Sequence, residues 1–290
     1  MTISAAFIGL GNIGAPIARR LLANEGGLIV YDVRPEAADA LVAEGARLAE
    51  SLADVAASAD VISVMVRDDA QVRDVIDALL PSVRPNTVIA IHSTIHASTA
   101  IELEPIVRDR GASLLDAPVS GGAMGAASGR LALMVGGDED ALARARPVLS
   151  HFADLIVRFG PVGMGTKTKL ARNLITFVAY AAVAEAQHLA VAAGVDIVKL
   201  GEVVRHSDAV TSGPGAIMHR DVVGPIDPAD GWWGPITGMV GLGEKDLLLA
   251  MELGAEVGVD VPFAAMALER LAATYGVPHS EYHPTNASAS

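Results

Sequence analysis

Lys169 and Asn173 stand four apart in the run Gly163-Met164-Gly165-Thr166-Lys167-Thr168-Lys169-Leu170-Ala171-Arg172-Asn173. In a helix that spacing puts an ammonium and an amide on one face, within reach of one ligand. The run continues into almost wholly apolar sequence, so the lysine is expected to be partly desolvated, which lowers an amine pKa towards neutrality. Such an amine can relay a proton to or from a hydroxyl while hydride leaves the adjacent carbon. Lys167 is a rival on another face, and periodicity alone does not choose between the two.

Hydride chemistry needs a carrier, and Phe7-Ile8-Gly9-Leu10-Gly11-Asn12-Ile13-Gly14 offers a place to hold one. Its glycines fall at the join between an apolar run and a helical pattern, where a dinucleotide fingerprint belongs. Gly9 permits the tight turn, Gly11 lets a pyrophosphate approach the backbone, and Gly14 allows close helix-strand packing. Leu10, Asn12 and Ile13 complete the turn. Asp32 ends the next apolar run, where a carboxylate can accept from ribose hydroxyls and repel a 2′-phosphate. NAD is therefore the expected cofactor, with NADP possible through Arg34.

A third segment, Asp116-Ala117-Pro118-Val119-Ser120-Gly121-Gly122, follows an apolar strand pattern. Ser120, Gly121 and Gly122 can present backbone N–H groups to an anion at a helix start.

The elements that must position these residues follow two regimes. Up to about residue 160, strand patterns at Ile3–Ile8, Leu28–Asp32, Val61–Val66, Thr87–Ile91, Ser113–Leu115, Ala132–Val135 and Leu155–Phe159 alternate with helical ones. The helices are expected at Ile13–Leu22, 36–43, 51–58, 69–79, 97–109 and 138–149. This alternation predicts an α/β Rossmann-type domain with a mostly parallel sheet covered on both faces. After Gly165 the strand signals stop. Residues 166–194 predict one long interdomain helix of about 40 Å, apolar on most faces. Helical patterns at 196–206, 236–256 and 261–275 then predict an all-α C-terminal domain. Gly213–Pro235, with both tryptophans, reads as a loop, and Tyr282–Ser290 as a polar tail. The expected domains are 1–162, binding the dinucleotide, and 163–290, serving substrate and oligomerisation.

Composition narrows the partners. The 290 residues are 51% hydrophobic but only 4% aromatic, so the core must be aliphatic, and cysteine is absent, which excludes thiolate chemistry and disulfides. A net charge of −13 disfavours nucleic acid and anionic membrane and obliges an anionic substrate to find a local basic site. The apolar start Met1–Leu22 lacks a basic beginning and is broken by glycines, unlike a secretory leader. A cytoplasmic protein is expected. His92 and His96 stand four apart, but in a strand-to-loop segment, and no carboxylate-histidine set has trusted ligand spacing. No metal is expected. His206, beside Ser207 and Asp208, reads as a surface or capping residue.

Four ordered motifs carry a family resemblance: the glycine turn, Asp116–Gly122, the lysine-asparagine run ending at Asn173, and Lys245-Asp246-Leu247. Over nearly its whole length the chain resembles the 3-hydroxyisobutyrate dehydrogenase-like (β-hydroxyacid dehydrogenase) family. The resemblance implies hydride transfer between NAD(P) and a small β-hydroxyacid or its semialdehyde, with Lys169 as acid/base and Asn173 orienting the substrate. It implies that Ser120, Gly121 and Gly122 hold the substrate carboxylate. It places Lys245 beside the nicotinamide and Ser93-Thr94 near the cofactor, which Met65 and Val66 are also expected to touch.

There are departures. Val66-Arg67 follows Met65 where Leu-Pro is common, Arg172 stands where a second asparagine is common, and His92 replaces a carboxylate or small residue. The Trp232-Trp233 segment does not match the usual phenylalanine-bearing one. Imine (C=N) reduction on the same scaffold is the first alternative and non-catalytic dinucleotide sensing the second; the lysine at 169 argues against both. An apolar helix over 166–194, followed by three short helices, further predicts a homodimer or homotetramer built on the helical domain.

Overall fold

The computed structural model describes residues 2–192, 194–211, 222, 224–258 and 260–284. They group into two compact units that meet between Lys169 and Leu170.

The first unit is a twisted sheet with helices on both sides. Its strands are β1 (Ala5–Ile8), β2 (Leu28–Tyr31), β3 (Arg47–Leu48), β4 (Val61–Val64), β5 (Val88–Ile91), β6 (Ser113–Asp116), β7 (Val119–Ser120), β8 (Leu131–Gly136) and β9 (Ala153–Gly160). They lie in the order β3-β2-β1-β4-β5-β6-β8-β7, with β9 paired to β8. The first six strands are parallel throughout. β8 runs antiparallel to β6 and β7 but parallel to β9. The sheet is thus mostly parallel, as expected. β7 and the two-residue β3 are too short for a period-2 pattern to reveal.

The central strands are buried on both faces, and their side chains alternate between two cores. Phe7 on β1 and Ala90 on β5 enter one core with Ile17, Leu21 and Phe152; Ala6, Ile8, Ile89 and Ile91 enter the other with Ile62, Ile76 and Leu79. The covering helices are α1 (Gly14–Leu21), α2 (Asp39–Ala43, after a 3₁₀ turn at Pro35–Ala38), α3 (Leu52–Ser58), α4 (Asp69–Leu79), α5 (Ala97–Arg108), α6 (Gly122–Ser128) and α7 (Glu139–Leu149). Three carry side-chain N-caps from outside the apolar pattern: Ser51, Asp68 and Asp138 accept from the backbone N–H groups of Asp54, Gln71 and Ala141.

α8 (Met164–Ala192) is the long helix expected over 166–194 and begins two residues earlier. The second unit continues with α9 (Ile197–Thr211), α10 (Trp233–Val257) and α11 (Pro262–Tyr275). Two expectations are corrected here. α10 has 25 residues, so the helices after α8 are not uniformly short. Trp233 opens that helix, so 233–235 of the expected loop are helical, while Trp232 stays in the turn before it as N-cap; 212–221 and 223 lie outside the described residues. The core joins Phe177 and Ala184 of α8 to Val240 and Leu247 of α10 and Leu268 and Leu271 of α11. Gly243 permits the close approach, since a Cβ there would lie 2.7 Å from Leu271 Cδ2 and 3.0 Å from Phe177 Cδ1. Among the described residues no helix is long and apolar enough to cross a membrane.

Candidate active site

The strand order reverses between β1 and β4, and in such sheets ligands bind beyond the carboxyl ends of the strands at that point. The glycine turn occupies this position. Gly9 has φ +94°, and a Cβ there would fall 2.1 Å from Met65 O, just past the end of β4. A Cβ on Gly14 would fall 2.0 Å from Gly9 O, so only glycine lets α1 start so near the strand. In front of Gly11 nothing lies within 4 Å of where a Cβ would be, leaving the backbone open to a ligand. Leu10 is buried, while Asn12 and Ile13 lead into α1.

A cavity of about 490 Å³ opens here, lined by Gly9, Gly11, Asp32, Arg34, Met65, Val66 and Arg67 among others. The Asp32 carboxylate accepts from Leu10 N–H at 2.8 Å and from Arg34 N–H at 2.9 Å, so the glycine turn and the end of β2 are tied through one side chain. Arg34 Nε stands 3.7 Å from Asp32 Oδ1 with its side chain mostly in solvent. Ser93 joins the ends of β4 and β5: its Oγ donates to Val66 O at 2.7 Å and accepts from Val66 N–H at 2.9 Å. Thr94 beside it is half-buried.

His92 and His96 diverge. His92 is fully buried, with Nδ1 2.8 Å from Ala117 O and Nε2 3.0 Å from Ser63 Oγ, and burial pushes its pKa from 6.5 down to about 4. A neutral ring donating from Nδ1 and accepting at Nε2 satisfies both partners. His96 Nδ1 instead pairs with Asp69 Oδ2 at 3.1 Å.

The start of α8 is held by a residue the sequence motifs leave without a role. Asp116, at the end of β6, is fully buried, and its two carboxylate oxygens accept from Gly163 N–H at 2.7 Å and Thr166 N–H at 2.6 Å. Burial raises the pKa of this carboxyl above the usual carboxylate range, against the lowering pull of those N–H groups. Gly136 and Gly165 make the crossing possible: a Cβ would lie 2.2 Å from Asp116 Oδ1 in the first case and 2.3 Å from Asp116 O in the second. The first turn of α8 is therefore pinned to the sheet three residues before Lys169. Lys169 is buried and Lys167 only half-buried, a distinction the sequence could not make. Ser120 is half-buried, and Gly121 and Gly122, both at positive φ, expose the N-terminus of α6.

Within the second unit, Asn173 is buried and its Nδ2 donates to Asp246 Oδ2. Asp246 is buried as well, and Lys245 Nζ lies 3.1 Å from its Oδ1 as an ion pair. Arg172 reaches round the helix to donate to Asn173 Oδ1 at 3.2 Å, although the two side chains leave on different faces. The Lys245-Asp246-Leu247 motif thus supplies an anchor for the Asn173 amide, which spacing could not foresee. His206 is exposed on α9.

The chain is similar to known proteins over nearly its whole length. Residues 4–163 match the NAD binding domain of 6-phosphogluconate dehydrogenase, and residues 163–281 match the NAD-binding domain of NADP-dependent 3-hydroxyisobutyrate dehydrogenase. The chain is 53% identical to an uncharacterised oxidoreductase of Mycobacterium tuberculosis, over 96% of this chain and 95% of the relative. It is 36% identical to the NAD-dependent L-serine dehydrogenase of Pseudomonas aeruginosa, over 91% and 89%. The structure of Mycobacterium tuberculosis 3-hydroxyisobutyrate dehydrogenase with L-serine superposes with a TM-score of 0.80 at 32% identity, covering 100% of this chain and 99% of that one. Fold, glycine turn and matched domains together define an NAD(P)-binding oxidoreductase. Within that class, the chain belongs to the 3-hydroxyisobutyrate dehydrogenase-like family.

Proposed function

We propose that the chain oxidises a small β-hydroxyacid to its semialdehyde with NAD, and that Lys169 carries the hydroxyl proton. The observation that carries this reading is a buried lysine one helical turn from an asparagine whose amide is fixed by a buried aspartate. The bound nicotinamide supplies the hydride acceptor. Lys169 Nζ takes the hydroxyl proton during oxidation and returns it during reduction, and Asn173 orients the same hydroxyl. Ser120, Gly121 and Gly122 hold the substrate carboxylate, while Lys245 and Thr94 line the nicotinamide end of the cofactor. A lysine at 169 supports this chemistry over C=N reduction. The domains proposed are residues 1–162 for the dinucleotide and 163–290 for substrate and assembly.

NAD preference is supported by Asp32, whose carboxylate meets the cavity with the nearest arginine already paired to it. The substrate class is supported by relatives named for L-serine and 3-hydroxyisobutyrate. The test is a panel of 3-hydroxyacids, including these two, assayed with NAD and with NADP. We expect kcat/KM to favour NAD by about 10–100-fold, the worth of one charge-assisted hydrogen bond. A higher value with NADP overturns the assignment of Asp32, and turnover of imines alone overturns the reaction.

Homo-oligomerisation through the helical domain is part of the same proposal. It is supported by large apolar side chains left exposed there, among them Ile175, Val203, Phe263 and Met266. Sedimentation at micromolar concentration should show a dimer or tetramer; a fully active monomer contradicts it.

A further inference from the structure

In the second unit Glu244 of α10, next to Lys245 in sequence but turned about 100° round the helix from it, is fully buried, a costly place for a carboxylate without partners. Its partners come from the segment after α11. Oε2 accepts from Ser280 N–H at 2.8 Å and Ser280 Oγ at 2.6 Å, and Oε1 lies 2.5 Å from His279 Nδ1. The His283 imidazole stacks on that of His279, with ring centroids 3.7 Å apart and planes 24° from parallel. One ligand atom from each of Glu244, His279 and His283 lies within 4.8 Å of the other two.

We propose that Glu244, His279 and His283 form a binding site for a divalent transition metal of the zinc type, which fastens the C-terminal segment to α10. Two imidazole nitrogens and one carboxylate oxygen are a donor set that zinc accepts, with a fourth position open to water. The outer shell is already in place, because Ser280 holds Oε2 and leaves Oε1 directed at His279. Two stacked imidazoles repel when both carry protons, whereas a metal takes both as neutral ligands. The ion would displace the proton between Glu244 and His279 and draw in the His283 ring by rotation about its side-chain torsions. The His279-x-x-x-His283 spacing suits such a site. The third ligand lies on α10, 35 positions before His279, so the sequence alone leads to the opposite expectation of no metal.

The test uses the full 290-residue chain, stripped with a chelator and titrated with Zn²⁺ and Co²⁺. We expect one equivalent to bind, Tm to rise by several degrees, and Co²⁺ to show the intense visible bands of four-coordination. His283→Ala and Glu244→Gln should abolish the tight equivalent, while His206→Ala should leave it unchanged. The Co²⁺ spectrum of the unmutated chain decides the matter should either variant fail to fold. Absence of a stoichiometric equivalent, a weak six-coordinate spectrum, or tight binding that survives His283→Ala overturns the proposal.

Discussion

Replacing Lys169 with alanine is expected to lower kcat by about 10²–10⁴-fold, the usual contribution of a positioned general acid or base, while leaving NAD affinity within about twofold. The asymmetry follows from where the side chain sits. Lys169 belongs to the second turn of α8, whereas the cavity at the glycine turn is lined by residues between Ile8 and Val75 in sequence. Its own helix is pinned through Asp116, which alanine at 169 leaves untouched. Lys167→Ala, made in parallel, should keep most of the activity because that side chain is only half-buried and leaves on another face. A Lys169→Ala enzyme retaining more than half its kcat would remove Lys169 from the chemistry; a large loss only in the Lys167 variant would transfer the role.

The second large effect is on stability, and it appears in acid. His92 has a folded pKa of about 4 against an ordinary value of 6.5. Because the folded value is the lower one, the unfolded chain takes the proton first as the pH falls. The cost is absent above about pH 6.5, accumulates between 6.5 and 4, and is complete below 4, reaching roughly 3 kcal/mol. Asp54, Asp60 and Asp69, whose pKa values are lowered from 3.8, act in a lower window, as stability from them is lost only when they are protonated. His283 shares the sign of His92, its pKa lowered by burial and by His279, so the readout is a difference. Urea unfolding at several pH values should show the His92→Gln variant losing less stability than the parent chain between pH 6.5 and 4.5. Identical slopes would mean that His92 is not held neutral by its surroundings.

How far the sequence could be read depended on whether a feature was local. The glycine turn was legible because its three glycines stand at a fixed spacing inside one strand-turn-helix unit; the close approach of Gly14 to Gly9 O lies within that unit, whereas that of Gly9 to Met65 O comes from β4 and was not legible. The long helix α8 was legible because no glycine or proline interrupts it from Thr166 to Val191. What escaped were partnerships across the chain. Asp116 accepts from a backbone N–H 47 positions later, just before the first turn of α8, and Asp246 fixes an amide 73 positions earlier. Hydrophobic periodicity carries no trace of either. The start of α10 was misread for a different reason: Gly234 and Pro235 look like loop residues, but proline is well suited to the first turn of a helix. The exposed position of Gly121 and Gly122 follows from the sequence, whereas the role proposed for them rests on the family.

The central claim is that hydride passes directly between substrate carbon and nicotinamide while Lys169 handles the hydroxyl proton. The most direct measurement uses the best 3-hydroxyacid from the panel, deuterated at the carbinol carbon, with NAD. The account predicts that the deuterium appears in the reduced nicotinamide, and that the isotope effect on kcat/KM is expressed across a pH profile whose lower limb disappears in the Lys169→Ala enzyme. Reduced cofactor free of deuterium, or a pH profile indifferent to the loss of Lys169, would contradict it.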